Sequence, residues 1–124
     1  VGPDRAARMD ACATAHREGV RFSVHSDASV TPLGSLHTVW CAVNRVMSTG
    51  EVLGPDERIP VDLALRAVTV NAAHQLRLDH ELGTIEAGKL ADFVALDDDP
   101  NDVDPMAIKD IAVGGTVVGG EITA

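Results

Sequence analysis

The chain has 124 residues, enough for one buried core, and a formal net charge of -9. That charge disfavours a nucleic-acid backbone or an anionic membrane as partner, because both need clustered Lys and Arg. Hydrophobic residues make up 45% and aromatic residues 2%, with no Tyr, so Ala, Val, Leu and Ile must build the core, as in tightly packed α/β layers.

The opening Gly2-Pro3 reads as a turn. Asp10 is placed as the N-cap of a short helix running to Glu18, which Gly19 stops. Val20 to Val24 then reads as a buried strand, with Val20, Phe22 and Val24 on one side. Ser23, His25 and Asp27 fall on the other. A loop over residues 27–34 leads to a helix from Leu36 to Met47, with Ser35 as N-cap. Leu36, Val39, Trp40, Val43 and Met47 form its apolar face, and Trp40 is expected to pack rather than bind.

Gly54-Pro55-Asp56-Glu57 is a surface turn, and Pro60 starts the next helix. Val61, Leu65, Val68, Ala72 and Leu76 are its expected buried stripe. The β-branched pair Thr69-Val70 predicts a break, with Thr69 capping a second helix from Asn71 to Leu76. Gly83 to Asp92 is turn-rich, with Gly88 supplying a positive φ, Asp92 bonding that turn and Lys89 on the surface. Strands are predicted at Phe93–Leu96, Ile108–Val113, Thr116–Val118 and Glu121–Thr123, with Gly114-Gly115 as a break. The run Asp97-Asp98-Asp99 lacks the EF-hand spacing and reads as a solvated turn.

Asp27 is the candidate chemical residue. A carboxylate at the end of a buried polar strand side is costly without a partner, and that end of an α/β strand is where ligands gather. His25-Ser26-Asp27 is not a hydrolase triad, since neighbours in a strand face opposite ways. His25 shares the Asp27 side, yet two ligands do not close a metal site, and no HxH or HExxH pattern adds to them. The bland reading of Asp27 is a residue that holds the next loop by accepting backbone N–H bonds.

Cys12 and Cys41 read as free thiols, with no spacing for zinc. No apolar run approaches the length of a membrane span. No signal-peptide layout opens the chain, and a cytoplasmic location is expected.

Several stretches taken together resemble the amidohydrolase superfamily, in its amidohydrolase-3 type. These are Ser26-Asp27-Ala28 with Val30-Thr31-Pro32, Val52-Leu53-Gly54-Pro55, and Ala64-Leu65-Arg66-Ala67 followed by Thr69 and Asn71-Ala72-Ala73. Gly83-Thr84-Ile85-Glu86-Ala87-Gly88-Lys89-Leu90-Ala91-Asp92 resembles its C-terminal signature, and Val117-Val118-Gly119-Gly120 its closing hairpin.

The resemblance implies an α/β fold. Residues 1–80 would be the last strand and helices of a (β/α)8 barrel, and 81–124 the C-terminal part of a composite β-sandwich. It implies a C-terminal fragment, inactive alone, of a metal-dependent enzyme that hydrolyses an amide-type C–N bond in a small molecule. Asp27 is implied as metal-facing residue and proton acceptor, and His25 as a pocket-lining, substrate-binding residue. The metal, zinc by expectation, would be held mainly by residues upstream of Val1, so this chain alone is expected to bind none. The missing barrel and a second copy of the chain are the expected partners. The rival reading is a non-catalytic α/β module that self-associates through apolar faces left uncovered.

Overall fold

The computed structural model describes residues 2–123; Val1 and Ala124, the outermost residues of the two expected portions, lie outside that range. In chain order the elements are α1 (Pro3–Ala6), α2 (Cys12–Arg17), α3 (Ser35–Asn44), a 3₁₀ turn (Pro55–Glu57), α4 (Val61–Val68), α5 (Val70–Gln75), β1 (Phe93–Leu96), a second 3₁₀ turn (Pro105–Asp110), β2 (Val113–Val118) and β3 (Glu121–Thr123). The class is mixed α/β, with one antiparallel sheet in the order β1-β2-β3. No helix among the described residues is long and apolar enough to cross a membrane.

The core forms where α3 meets α4 and the second 3₁₀ turn. Val39, Ala64 and Ile108 are fully buried there, with Trp40, Ile59 and Cys12 around them. The Trp40 indole Nε1–H donates to the Met106 carbonyl at 3.0 Å, and the Asn44 amide donates to the Pro105 carbonyl at 2.9 Å. Lys109 lies over the outer indole face, its Nζ 4.4 Å from the ring centroid. Trp40 is thus a packing residue, as its place on the apolar face predicts. Ile108 was expected in a strand. It sits instead in the 3₁₀ turn because Asp104 Oδ1 accepts the Met106 N–H at 2.8 Å and Pro105 fixes the first position.

Helix ends depart from local propensity where tertiary partners intervene. Asp10 caps nothing with its side chain and sits at φ 50°; the α2 N-terminus is served from a distance. Glu57 accepts from the Thr14 backbone N–H at 2.8 Å and from its hydroxyl at 2.5 Å. Ser35 lies inside α3 rather than capping it, after an extended Gly34. α3 stops at Asn44, short of the expected Met47, because Arg45 turns left-handed at φ 54° and Val46 bridges to Val52. The Arg45 guanidinium donates to the carbonyls of Leu53, Met9 and Asp10, which offsets that conformation.

The break at Thr69 is present, but Thr69 Oγ1 donates back to the Leu65 carbonyl at 2.7 Å instead of capping α5. The buried face of α4 and α5 is the small-residue one: Ala64, Ala67, Asn71 and Ala73. Ala at these positions lets α4 approach α3 closely, and the expected stripe is only half-buried, with Leu76 70% exposed.

The expected strand over 20–24 does not form a ladder; the segment is irregular. A strand needs ladder neighbours, and among the described residues none lies beside it. Its main chain is held at Val20, whose N–H donates to Ala15, and at Val24, whose N–H reaches the Ala67 carbonyl at 3.4 Å. Asn71 does the rest: its amide donates to the Phe22 carbonyl at 3.0 Å, and its oxygen accepts from Arg21 Nε at 3.2 Å. The opening turn likewise becomes the one-turn helix α1, with Pro3 at its start.

In the C-terminal part, β1 and β3 form where predicted, with Phe93 opposite Val117 and Thr116 opposite Thr123. β2 runs through Gly114-Gly115 rather than breaking there; a Cβ on Gly114 would sit 2.9 Å from Asp97 Oδ1. Gly88 does supply a positive φ, 96°. Lys89 is no surface residue: its ammonium donates to the Asp79 carbonyl at 2.7 Å and the Thr84 hydroxyl at 2.6 Å. Asp92 bonds the Gly119 N–H of the closing hairpin at 2.6 Å, not the Gly88 turn. Asp99 closes its own turn by accepting from the Asn101 N–H at 2.8 Å.

Candidate functional site

An open cleft of about 740 Å³ lies between the segment leading into α2, residues 22–31 and one side of α3. Met9, Cys12, Phe22, Val24, Cys41 and Ala42 supply apolar and thiol surface. His25, Ser26, Asp27, Thr31, His37, Thr38 and Arg45 supply the polar groups. A smaller hollow of about 420 Å³ borders the same segment, with Leu33, Gly34, Ser35 and Val68 on its far side. Asp27 and His25, the two sequence-derived site residues, are thus brought to one cleft, where both are exposed.

Asp27 opens a turn. Its φ is 48°, and its carbonyl accepts the Val30 N–H at 2.7 Å. The Thr31 hydroxyl donates to the Ser26 carbonyl and pins the far side of the loop. This turn ends the two-residue alternation, so Ser26 lines the cleft beside His25 and Asp27 rather than facing away. The Asp27 N–H donates to Nδ1 of His25 at 3.0 Å. Among the described residues the Asp27 carboxylate has no hydrogen-bond donor. It therefore does not hold the loop as a backbone acceptor, and both oxygens are open to a ligand.

The other histidines are placed differently. His16 is exposed on α2. His37 stacks on Trp40 with centroids 5.8 Å apart. His74 pairs with Asp79 at 3.0 Å and holds its carboxyl below the usual range, while His80 pairs with Glu81 at 3.1 Å. Burial pushes both the Cys12 and Cys41 thiols up, so neither is an activated nucleophile.

A hard carboxylate without a protein partner suits one position around a divalent cation. No group of three His, Cys, Asp or Glu able to hold a metal occurs among the described residues. Among the described residues, Asp27 offers one such oxygen ligand.

Sequence reasoning missed three residues of this region. Asn71, which holds the Asp27-bearing segment, lies one position off the expected apolar stripe; its polar side chain on an otherwise buried face was the available signal. Thr38 enters the cleft wall from the N-terminal half of α3, and Arg45 from the left-handed residue that ends that helix; no local pattern announces either.

The sequence model of the amidohydrolase family matches residues 1–124. An N-substituted formamide deformylase of Arthrobacter pascens is 39% identical over 102 residues, covering 82% of this chain and 19% of that protein. Protein LONG AFTER FAR-RED 3 of Arabidopsis thaliana is 39% identical over 103 residues, covering 81% of this chain and 17% of its own length. The chain thus spans about a fifth of the relatives it matches. An amidohydrolase from Thermotoga maritima superposes with a TM-score of 0.69 at 23% identity, covering 91% of this chain and 25% of that one, a likeness of fold. With a family match over its whole length and a matching fold, the chain belongs to the amidohydrolase family.

Proposed function

We propose that this chain is the C-terminal part of a metal-dependent amidohydrolase that cleaves a C–N bond in a small molecule, and that Asp27 moves the proton. The carrying observation is the Asp27 carboxylate: exposed at the cleft rim, set by a left-handed turn, and without a donor among the described residues. Family membership and the name of the formamide deformylase relative support the reaction class.

A divalent metal, zinc by preference, supplies polarisation of the scissile carbonyl and a more acidic water when bound. Asp27 would be one of its ligands or face it directly. One Asp27 oxygen accepts a proton from the attacking water as the new C–O bond forms. The same carboxyl then donates that proton to the leaving nitrogen as the C–N bond breaks. His25 lines the substrate side of the rim.

In this reading residues 1–80 are the last part of a (β/α)8 barrel and residues 81–124 the C-terminal part of a β-sandwich. The segment at 20–26, which among the described residues has no strand beside it, supports it, since barrel strands on either side would supply ladder bonds. The chain alone would be inactive and would hold no metal tightly.

The test is a panel of N-substituted formamides and simple amides given to the full-length protein, with released amine followed. The reading expects turnover that a chelator abolishes and added divalent metal restores. A full-length protein that is metal-replete and hydrolyses no member of the panel would count against it.

The second reading, a self-associating module without catalysis, draws on exposed apolar side chains: Val30 is 79% and Leu33 87% exposed.

A further inference from the structure

The hydrogen bond between Asp27 N–H and His25 Nδ1, 3.0 Å long, fixes more than a distance. A main-chain amide can only donate, so in this contact Nδ1 is the accepting nitrogen. A side chain that accepts the N–H two residues ahead is the device with which Asn and Asp close turns. Here an imidazole takes the place of their oxygen. The residue so held is Asp27, whose φ of 48° lies in the left-handed region that few residues besides Gly, Asn and Asp adopt. His25 is exposed and contributes nothing to the buried core, so packing does not explain its place.

Resting on the reading of Asp27 as the proton-transferring group, we propose that His25 is a positioning residue. Its Nδ1 locks the Asp27 backbone in the left-handed turn and so sets where the carboxylate stands at the cleft rim. Asn at position 25 offers an oxygen to the same N–H; Ala and Leu offer no acceptor.

The experiment uses the full-length protein, with the formamide or amide that its panel shows to be hydrolysed fastest. His25→Ala and His25→Leu should lower kcat on the order of 10²-fold, the loss that a displacement of about 1 Å can cause. KM should change less, and metal content and melting temperature should hold. His25→Asn should recover kcat to within a few fold of wild type, roughly the tolerance of a preserved geometry. Independently of activity, ¹⁵N NMR of histidine-labelled protein should show Nδ1 of His25 unprotonated and Nε2 protonated.

Full turnover in His25→Ala, an Asn variant no better than Ala, or a protonated Nδ1 would overturn the proposal. Asp27→Asn run in parallel separates the two levels. If it is inactive while His25→Ala is unaffected, only the positioning role falls; if it turns over normally, the proton-transfer reading falls as well.

Discussion

The α3 region and the segment at 20–31 are built from the same kinds of residue and end in opposite conditions. Around α3 the interactions close within the chain: Val39 and Ile108 are fully buried, and the Trp40 and Asn44 side chains find carbonyls in the 3₁₀ turn some 60 residues away. Along 20–31 and just beyond they stay open: among the described residues the main chain lacks ladder partners and the Asp27 carboxylate is free, and Val30 and the following Leu33 face outward. The contrast separates what folds the chain from what the chain offers. Stability resides in the closed region; the proposed chemistry sits at the open rim, held by a few side-chain bonds.

Breaking the closed region should cost most. Trp40→Ala removes a 6%-exposed aromatic ring together with its bond to Met106, and should destabilise the protein by about 3–5 kcal/mol in chemical denaturation. Loss of under 1 kcal/mol would show that the α3 contact is not the main support. Asn71→Ala should cost less, about 1–3 kcal/mol, the range for leaving buried polar groups unpaired. Its sharper signature is faster amide exchange at residues 21–24, with the α3 amides unchanged; equal acceleration in both regions would mean that the two regions open together.

The bond from Glu57 to α2 gives a pH test. The Thr14 hydroxyl and N–H hold the Glu57 carboxyl below its ordinary value. The unfolded chain then binds the proton at higher pH than the folded one. The stabilisation is present above the ordinary glutamate range and is lost as pH falls through the lower folded value. Glu57→Gln should flatten the acid side of the stability profile; an unchanged slope would remove Glu57 as a cap. The smallest effect concerns the open face. Leu33→Glu in the isolated chain should shift light-scattering mass toward monomer, because Leu33 is part of the uncovered apolar surface. A wild-type chain already monomeric would contradict that surface's stickiness.

Much of this contrast was legible beforehand, for identifiable reasons. The α3 face, the break at Thr69 and strand Phe93–Leu96 announce themselves because period and β-branching are local properties. The position of Asp27 after an apolar run was legible, and the structure places it at the cleft; its chemical role is the proposal made for it. The strand around it was not, because strand formation depends on neighbours outside 20–26. Glu57 capping α2, Lys89 turning inward and Asn71 gripping Phe22 were illegible for a like reason: each joins residues ten or more positions apart, which local propensity cannot pair.

The most direct test of the account is Asp27→Asn in the full-length protein, by steady-state kinetics with metal content measured on the same preparation. The substitution keeps shape and removes the proton acceptor. The account predicts a loss in kcat on the order of 10²–10⁴, the range of general acid–base catalysis, with a smaller change in KM. Near-normal turnover by a metal-replete Asp27→Asn protein would contradict it and leave Asp27 as a turn residue without a chemical role.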